Sequence, residues 1–290
     1  MLASTGRTVR REVTVQGTGL HTGKPARVTV APRERWGVEF VREDLPGGPR
    51  VAALAENLAP VRRRTVLQCG GAEVQTAEHL LAALYALGVD RAEVRIYGPE
   101  LPALDGSSLG WVNAIREVGL REVQARRRRL VLHEAVAEVS GDAAIVAVPC
   151  CEGLVIDYIL DHDSEVVPVQ RVSFKLNEKV FVEEIAPART FVLEEEARAL
   201  LQAGFGRGAS TENTLVVGPQ GVRDNTLRFP DEFARHKVLD LVGDLCLVGA
   251  DLEARVVGVR SGHGLNALLV KRLAALLEEQ SAEAGEDTKS

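Results

Sequence analysis

The chain has 290 residues, of which 46% are hydrophobic and 26% charged, the balance of an ordinary globular protein. A net charge of -6 at pH 7 argues against a nucleic-acid interface, so we interpret the two arginine runs, Arg62 to Arg64 and Arg126 to Arg129, as a solvated face or a linker. Four cysteines without a C-x-x-C pair, no signal-like start and no apolar run of about 18 residues predict a soluble, cytoplasmic protein without a membrane span.

The N-terminal half alternates between strand and helix patterns. Alternating apolar and polar residues predict two strands around the turn GLHTG, and residues 54–67 are predicted to be rich in strand. TAEHLLAALYALG predicts a helix with Thr76 as N-cap and Gly88 as its stop. AEVRIYG then predicts a strand, and DGSSLGWVNAIREVGL predicts a second helix after Asp105.

Strand patterning restarts after the second arginine run, which predicts an N-terminal domain of residues 1–126 and a C-terminal domain of residues 127–290. In the second domain we expect strands to about Tyr158, a helix ending at Gly204, a strand in TLVVG, the helix FARHKVLDLVGDL, a strand in EARVVGV and a C-terminal helix from about Leu265. Each half also contains His, an apolar helix, Gly-x-Asp and a strand in that order, which suggests related halves. Strand runs mixed with helices favour the α+β class with two domains.

The helix FARHKVLDLVGDL carries polar residues in an unusual pattern, because His236, Asp240 and Asp244 recur at every fourth position. At about 100° per residue these three fall within roughly 80° of one another, and Lys237 lies beside them. The apolar stripe of the helix is complete without them, so an exposed polar face is one interpretation. The other is a metal site, because His and Asp one turn apart can bind the same ion.

A metal site on this helix needs a third ligand, and His79 is the best placed of the six histidines. It lies in the first turn of its helix, where the positive end of the dipole favours a neutral, ligating imidazole. Two histidines and one carboxylate leave a fourth position open, as in catalytic zinc sites. Glu78 projects about 100° away from His79 and could act as a general base, or it could only interact with the helix dipole.

His263 lies between two glycines in SGHGLN, where small neighbours allow an imidazole to project into a cleft. A carboxylate such as Asp244 would raise the pKa of this imidazole and keep it cationic, as a general acid requires. The alternative is an exposed loop histidine without a chemical role.

The motifs T-x-E-H-L, A-R-T-F, F-x-R-H-K-x-L-D-x-x-G-D-L and S-G-H-x-L-N occur in this order. Together with GLHTG, LDGSS and GAS-TENTLVV they resemble the UDP-3-O-acyl-N-acetylglucosamine deacetylase family from about residue 7 to residue 272. The resemblance implies a zinc-dependent amidase of lipid A biosynthesis, which releases acetate from UDP-3-O-acyl-N-acetylglucosamine. It also implies two α+β domains, each with a helix pair packed on a sheet and with the active site between the domains.

The resemblance gives each motif residue a role. It implies Glu78 as the base that activates water, His263 as the acid and Asp244 as the partner that orients the acid. Thr190 matches a residue that stabilises the oxyanion, and Lys237 matches a substrate contact. The implied metal ligands are His79, His236 and Asp240, and iron(II) suits this donor set as well as zinc does.

Other positions concern the nucleotide and the acyl chain. His162 stands where the family often has an aromatic residue that stacks on uracil, and Leu193 replaces a second Phe after Phe191 in the wall of the acyl passage. Arg260 matches a basic position that could meet the diphosphate. Arg64 stands where small residues or histidine are common.

Two alternatives remain from the sequence. The first is a zinc amidohydrolase with the same site that acts on a different N-acetyl sugar, and the second is a nucleotide-binding protein without activity. Nucleic-acid binding has no aromatic platform or fold signature to support it. We expect a monomer in the cytoplasm.

Overall fold

The computed structural model describes residues 5–60, 63–162 and 164–287, with side chains up to residue 283. Arg62 of the first arginine run therefore lies outside the described residues. Within these ranges, no helix is both long enough and apolar enough to cross a lipid bilayer.

The N-terminal half builds its main sheet from residues 13–97. Its strands are β1 (Thr5–Val9), β2 (Val13–Thr18), β3 (Pro25–Ala31), β4 (Gly37–Arg42), β5 (Arg50–Ala52), β6 (Val66–Cys69), β7 (Ala72–Gln75), β8 (Arg91–Tyr97) and β9 (Leu120–Arg126), and its helices are α1 (Glu78–Ala86) and α2 (Leu109–Val118). The main sheet has the order β2-β3-β8-β4-β5, while β1 pairs with β9 and β6 with β7. The antiparallel β2–β3 pair confirms the predicted strands around GLHTG.

The C-terminal half builds a second, larger sheet. Its strands are β10 (Arg129–Val131), β11 (Val136–Ser140), β12 (Ala143–Pro149), β13 (Leu154–Leu160), β14 (Gln170–Lys175), β15 (Phe191–Leu193), β16 (Leu215–Gly218), β17 (Gly221–Val222) and β18 (Asp251–Val259), and its helices are α3 (Glu178–Val180), α4 (Glu194–Gln202), α5 (Glu232–Cys246) and α6 (His263–Asp287). The large sheet has the order β11-β12-β18-β13-β14, with β10 beside β18, and β15-β16-β17 form a small sheet. Both parallel and antiparallel pairs occur, and the α+β class is confirmed.

Two predictions about local structure are wrong, and a third is confirmed with a shifted boundary. Thr76 is not the N-cap of α1, because Ala77 occupies that position and the Thr76 hydroxyl instead donates to Glu100 at 3.1 Å. The described residues between Leu54 and Leu67 contain a short 3₁₀ helix, Ala55–Asn57, and only the beginning of β6. The predicted C-terminal helix is present and begins at His263, two residues before Leu265, which places this histidine at a helix start instead of in a loop.

Helices α1 and α5 pack directly against each other, and α5 also packs against β13 and β14 of the large sheet. Gly243 makes the contact possible, because a Cβ at this position would lie 2.2 Å from the backbone oxygen of Glu78 and 2.8 Å from its carbonyl carbon. Such distances are far below van der Waals contact, so a larger residue would push the helices apart. The close approach brings the polar face of α5 against the first turn of α1.

Candidate metal centre

Two helices bring together three side chains that could hold a metal ion. The ligand atoms of His79 from α1 and of His236 and Asp240 from α5 lie within 4.8 Å of one another, and all three residues are buried. Asp240 Oδ1 is 3.6 Å from His79 Nε2 and 3.3 Å from His236 Nε2. The two imidazole rings stand nearly perpendicular, with centroids 5.1 Å apart.

These donors fit a metal ion better than they fit one another. Asp240 Oδ1 is buried and has no hydrogen-bond partner in the described part of the chain, which is costly for a carboxylate oxygen unless a cation satisfies it. A tetrahedral ion with bonds of about 2.0–2.2 Å separates neighbouring ligand atoms by roughly 3.3–3.6 Å. The two distances from Asp240 Oδ1 to the histidines fall in this range.

The protonation states also suit metal binding. His236 Nδ1 donates to the Ala188 carbonyl oxygen at 3.1 Å, which leaves the lone pair on Nε2 for the ion. Burial lowers the pKa of His236 to about 4 despite the opposing pull of Asp240, so its imidazole is neutral. Burial opposes ionisation of Asp240, but His236, Lys237 and His263 hold the pKa of Asp240 well below its usual range. Lys237 Nζ donates to Asp240 Oδ2 at 2.7 Å.

His263 faces the same space from the start of α6. Its Nδ1 lies 3.0 Å from Asp244 Oδ2, and its Nε2 lies 3.7 Å from both Glu78 Oε1 and Asp240 Oδ2. Burial works against the charged form, but Asp244, Asp240 and Glu78 outweigh it and raise the pKa of His263 to about 9. The Nε2–H of a cationic imidazole therefore points to the side where Glu78 and the metal donors lie.

Glu78 has the properties of a tuned base. It is buried, and its Oε2 accepts a hydrogen bond from the backbone N–H of Thr65 at 3.1 Å. Burial raises the pKa of Glu78, while His263 and His79 act in the opposite direction. A carboxylate with a raised pKa is a stronger proton acceptor than an ordinary exposed one.

Two residues that support Asp244 were not predicted from the sequence. The Thr65 hydroxyl donates to Asp244 Oδ1, and Asn266 Nδ2 donates to Asp244 Oδ2 at 2.9 Å. Asn266 belongs to the S-G-H-x-L-N motif and lies one turn after His263 on α6, so helical spacing could have indicated it. No local pattern marks Thr65.

A second unpredicted feature holds His236 in place. The peptide unit between Ala188 and Arg189 accepts the Nδ1–H of His236 through its carbonyl and donates its N–H to Glu232 Oε1 at 3.0 Å. Glu232 and His236 are one turn apart on α5. The Arg189 side chain also binds Glu232 Oε1 through Nε at 2.9 Å. Helix α5 therefore contacts this peptide through His236 at its carbonyl and through Glu232 at its N–H.

Thr190 follows that peptide directly and has a fixed backbone. Its N–H donates to the Gly106 oxygen at 2.8 Å, and its carbonyl accepts from the Leu215 N–H at 2.9 Å. Gly106 has φ of +79°, and a Cβ there would lie 1.9 Å from the Asn213 oxygen, so the loop that contacts Thr190 requires glycine.

Aromatic side chains lie beside His236. The Phe191 ring centroid lies 4.7 Å from that of Phe233 and 6.5 Å from that of His236. His162 meets the Phe191 ring edge to face at 5.9 Å, so the structure places this predicted nucleotide contact beside Phe191. Leu193, two residues further along β15, is half-buried.

The predicted basic contacts have partners of their own. Arg260 forms ion pairs with Asp142 and with Asp161, the latter at 3.1 Å. Arg64 lies over the Phe205 ring, with its guanidinium carbon 5.2 Å from the centroid. The structure thus brings the predicted metal, base and acid residues together, and it shows Arg260 occupied by carboxylates.

Comparison with known proteins agrees with this chemistry. A family model described as UDP-3-O-acyl N-acetylglycosamine deacetylase matches residues 6–275. A UDP-3-O-acyl-N-acetylglucosamine deacetylase of Anaeromyxobacter sp. (strain Fw109-5) is 40% identical over 271 residues, which cover 93% of this chain and 88% of that protein. The enzymes of the same name from Phenylobacterium zucineum (strain HLK1) and Thermosynechococcus vestitus (strain NIES-2133 / IAM M-273 / BP-1) are 39% and 38% identical, covering 92% and 94% of this chain and 92% and 95% of their own lengths. The chain therefore belongs to the UDP-3-O-acyl-N-acetylglucosamine deacetylase family.

Proposed function

We propose that this protein hydrolyses the acetamide of UDP-3-O-acyl-N-acetylglucosamine to acetate and UDP-3-O-acyl-glucosamine, a step of lipid A biosynthesis. The observation that carries the proposal is the buried donor set His79, His236 and Asp240, flanked by a carboxylate at Glu78 and an imidazole at His263. A structural metal site would be closed by four protein ligands and would need neither flanking group. We further propose that the protein acts in the cytoplasm and that its two α+β units meet near residue 126.

We propose zinc as the metal, held by the two histidines and the aspartate. When bound, zinc lowers the pKa of water towards about 7 and polarises the acetamide carbonyl. The neutral His236 and the ionised Asp240 provide the electron pairs that this requires. Iron(II) accepts the same donors, so the resident metal is one subject of the experiment below.

The protein side chains supply the proton transfers. Glu78 takes a proton as water attacks the acetyl carbon, since its Oε1 faces the common space while Oε2 is fixed by Thr65. His263 then delivers a proton from Nε2 to the amide nitrogen as the C–N bond breaks, which produces a free amine instead of an unstable amide anion. Asp244 holds the His263 ring through Nδ1 during this transfer.

The remaining assignments concern charge and substrate position. We propose that the Thr190 hydroxyl stabilises the developing oxyanion, because its backbone is fixed beside the peptide that orients His236. Lys237 would contact the substrate next to Asp240. Phe191, Leu193 and His162 would line the acyl and nucleotide approach. Arg260 would reach the diphosphate by exchanging an aspartate carboxylate for a phosphate.

Acetate release tests the proposal directly. Protein purified anaerobically should release acetate from UDP-3-O-acyl-N-acetylglucosamine, lose this activity after chelation, and regain it when zinc is added back. Iron(II) add-back in parallel identifies the better metal, and a panel of other N-acetyl sugars tests whether a different substrate is preferred. If UDP-3-O-acyl-N-acetylglucosamine gives no chelator-sensitive release of acetate, the proposed function is contradicted.

A further inference from the structure

Thr65 contacts both the proposed base and the proposed acid system, although it belongs to none of the motifs that identify the family. It lies directly before β6 and is 2% exposed. We propose that Thr65 is a positioning residue that fixes Glu78 and the Asp244–His263 pair relative to each other. This inference rests on the proposed function and deepens it.

The backbone of Thr65 determines which oxygen of Glu78 is available. Its N–H donates to Glu78 Oε2 at 3.1 Å, while Glu78 Oε1 lies 3.7 Å from His263 Nε2. The Thr65 carbonyl in turn accepts the N–H of Thr76 at 2.9 Å, which ties this backbone to the segment leading into α1. One carboxylate oxygen is therefore held away from the reacting centre and the other faces it.

The side chain of Thr65 determines the orientation of the acid. Its oxygen lies 3.2 Å from His263 Nδ1 and donates its proton to Asp244 Oδ1, since an ionised carboxylate can only accept. Asp244 thus receives hydrogen bonds from Thr65, Asn266 and His263. Three donors fix the plane of the carboxylate, and the carboxylate fixes the plane of the imidazole.

The same residue therefore joins two parts of the site that are distant in sequence. Thr65 is 13 residues from Glu78 and 179 residues from Asp244. Because the branched Cβ of threonine restricts rotation about χ1, the hydroxyl is held in place before substrate arrives. Loss of the hydroxyl should disturb the proton transfers without disturbing substrate binding or the metal donors.

The substitution Thr65→Val isolates the hydroxyl, because valine has nearly the same shape and retains the N–H that binds Glu78. We expect kcat to fall by about 10- to 100-fold, with KM within about twofold and metal content unchanged. Thr65→Ser restores the hydroxyl and should recover kcat to within about threefold of the wild type. Thr29→Val is a matched control, since it removes another buried threonine hydroxyl, 2.8 Å from Thr14, in the sheet of the N-terminal half.

Several outcomes would overturn this role. A Thr65→Val protein with kcat within about threefold of the wild type would do so, as would an equal loss in Thr65→Ser or in Thr29→Val. If circular dichroism shows that Thr65→Val does not fold, Thr65→Ala is measured by the same criteria. Inactive wild-type protein would contradict the proposed function instead, whereas active wild-type protein with an unaffected Thr65→Val variant contradicts only the role of Thr65.

Discussion

His236 and His263 are two buried histidines in contact with the same carboxylate, Asp240, yet their surroundings give them opposite charge states. The Nδ1 of His236 meets a backbone carbonyl, and the pKa of this residue is lowered by burial to about 4. The Nδ1 of His263 meets the carboxylate of Asp244, and its pKa is raised to about 9 against the effect of burial. The group that accepts from Nδ1 therefore separates His236, which we propose as a neutral metal ligand, from His263, which we propose as a cationic acid.

The two histidines contribute to the stability of the folded protein in opposite pH ranges. The folded pKa of His263 is above the ordinary value of 6.5, so its contribution is fully present below pH 6.5 and is lost as pH rises through about 9. The folded pKa of His236 is below 6.5, so its contribution is fully present above pH 6.5 and is lost as pH falls through about 4. The metal-free protein should be most stable between these limits.

The largest expected effect comes from removing either of the two proposed proton-transfer groups, Glu78 or His263. Glu78→Gln and His263→Ala should each lower kcat by about 10²- to 10⁴-fold, because a positioned acid or base contributes this much to proton transfer. Metal content should stay stoichiometric in both variants, since neither group belongs to the donor set. Steady-state kinetics measures kcat, and elemental analysis of the same samples measures the metal content.

If a variant keeps kcat within about threefold of the wild type, the substituted residue does not transfer a proton in the reaction. Loss of metal together with loss of activity would instead show that the residue is a ligand. If this occurs in His263→Ala, His263 would belong to the metal donors together with His236.

The parts of this site that could be predicted from the sequence are those set by local geometry. His236, Asp240 and Asp244 share one face of α5 because of helical periodicity alone, and Glu78 and His79 are adjacent. Their supports could not be predicted, because hydrogen bonds such as Thr65 to Asp244 join residues far apart in the chain. The fold class could be predicted from the strand and helix patterns. The prediction of Thr76 as the N-cap of α1 was wrong, because its hydroxyl binds Glu100, which is distant in sequence.

A smaller effect is expected when Asp244, which accepts from His263 Nδ1, is replaced by a neutral residue. In Asp244→Asn the largest influence that raises the pKa of His263 is lost, so this pKa should fall from about 9 towards or below 6.5. Because the acid must be protonated, the basic limb of the profile of kcat/KM against pH should move to lower pH. At pH 8 activity should decrease by about 10- to 100-fold.

Proton NMR of the metal-free protein measures the two histidines separately. The titration of His263 should shift in Asp244→Asn, while His236 should keep its low pKa because the Ala188 carbonyl is unchanged. An unshifted His263, or an equal shift of both residues, would show that Asp244 does not create the difference between them. A bound dication repels the imidazolium, so the basic limb of the metal-loaded enzyme should lie below the value for metal-free protein.

The smallest effect is expected from a change at Glu232, which holds the peptide whose carbonyl accepts from His236 Nδ1. Glu232→Gln retains an oxygen that can accept from the Arg189 N–H but removes the charge that pairs with the buried guanidinium. The Ala188–Arg189 peptide should become less fixed, and zinc affinity should fall by about tenfold, at the lower end for groups that orient ligands. The titration of His263 in metal-free protein should not change.

Competition with a chromophoric chelator at a temperature well below unfolding measures this affinity. Glu184→Gln is the matched control, because Glu184 also pairs with an arginine, Arg235 at 2.6 Å, but its side chain is 47% exposed and touches no metal donor. Equal zinc affinities in the two variants would show that α5 does not act on His236 through this peptide. Weaker zinc binding in Glu232→Gln alone would show that His236 depends on the group that accepts from its Nδ1, as we expect for His263 and Asp244.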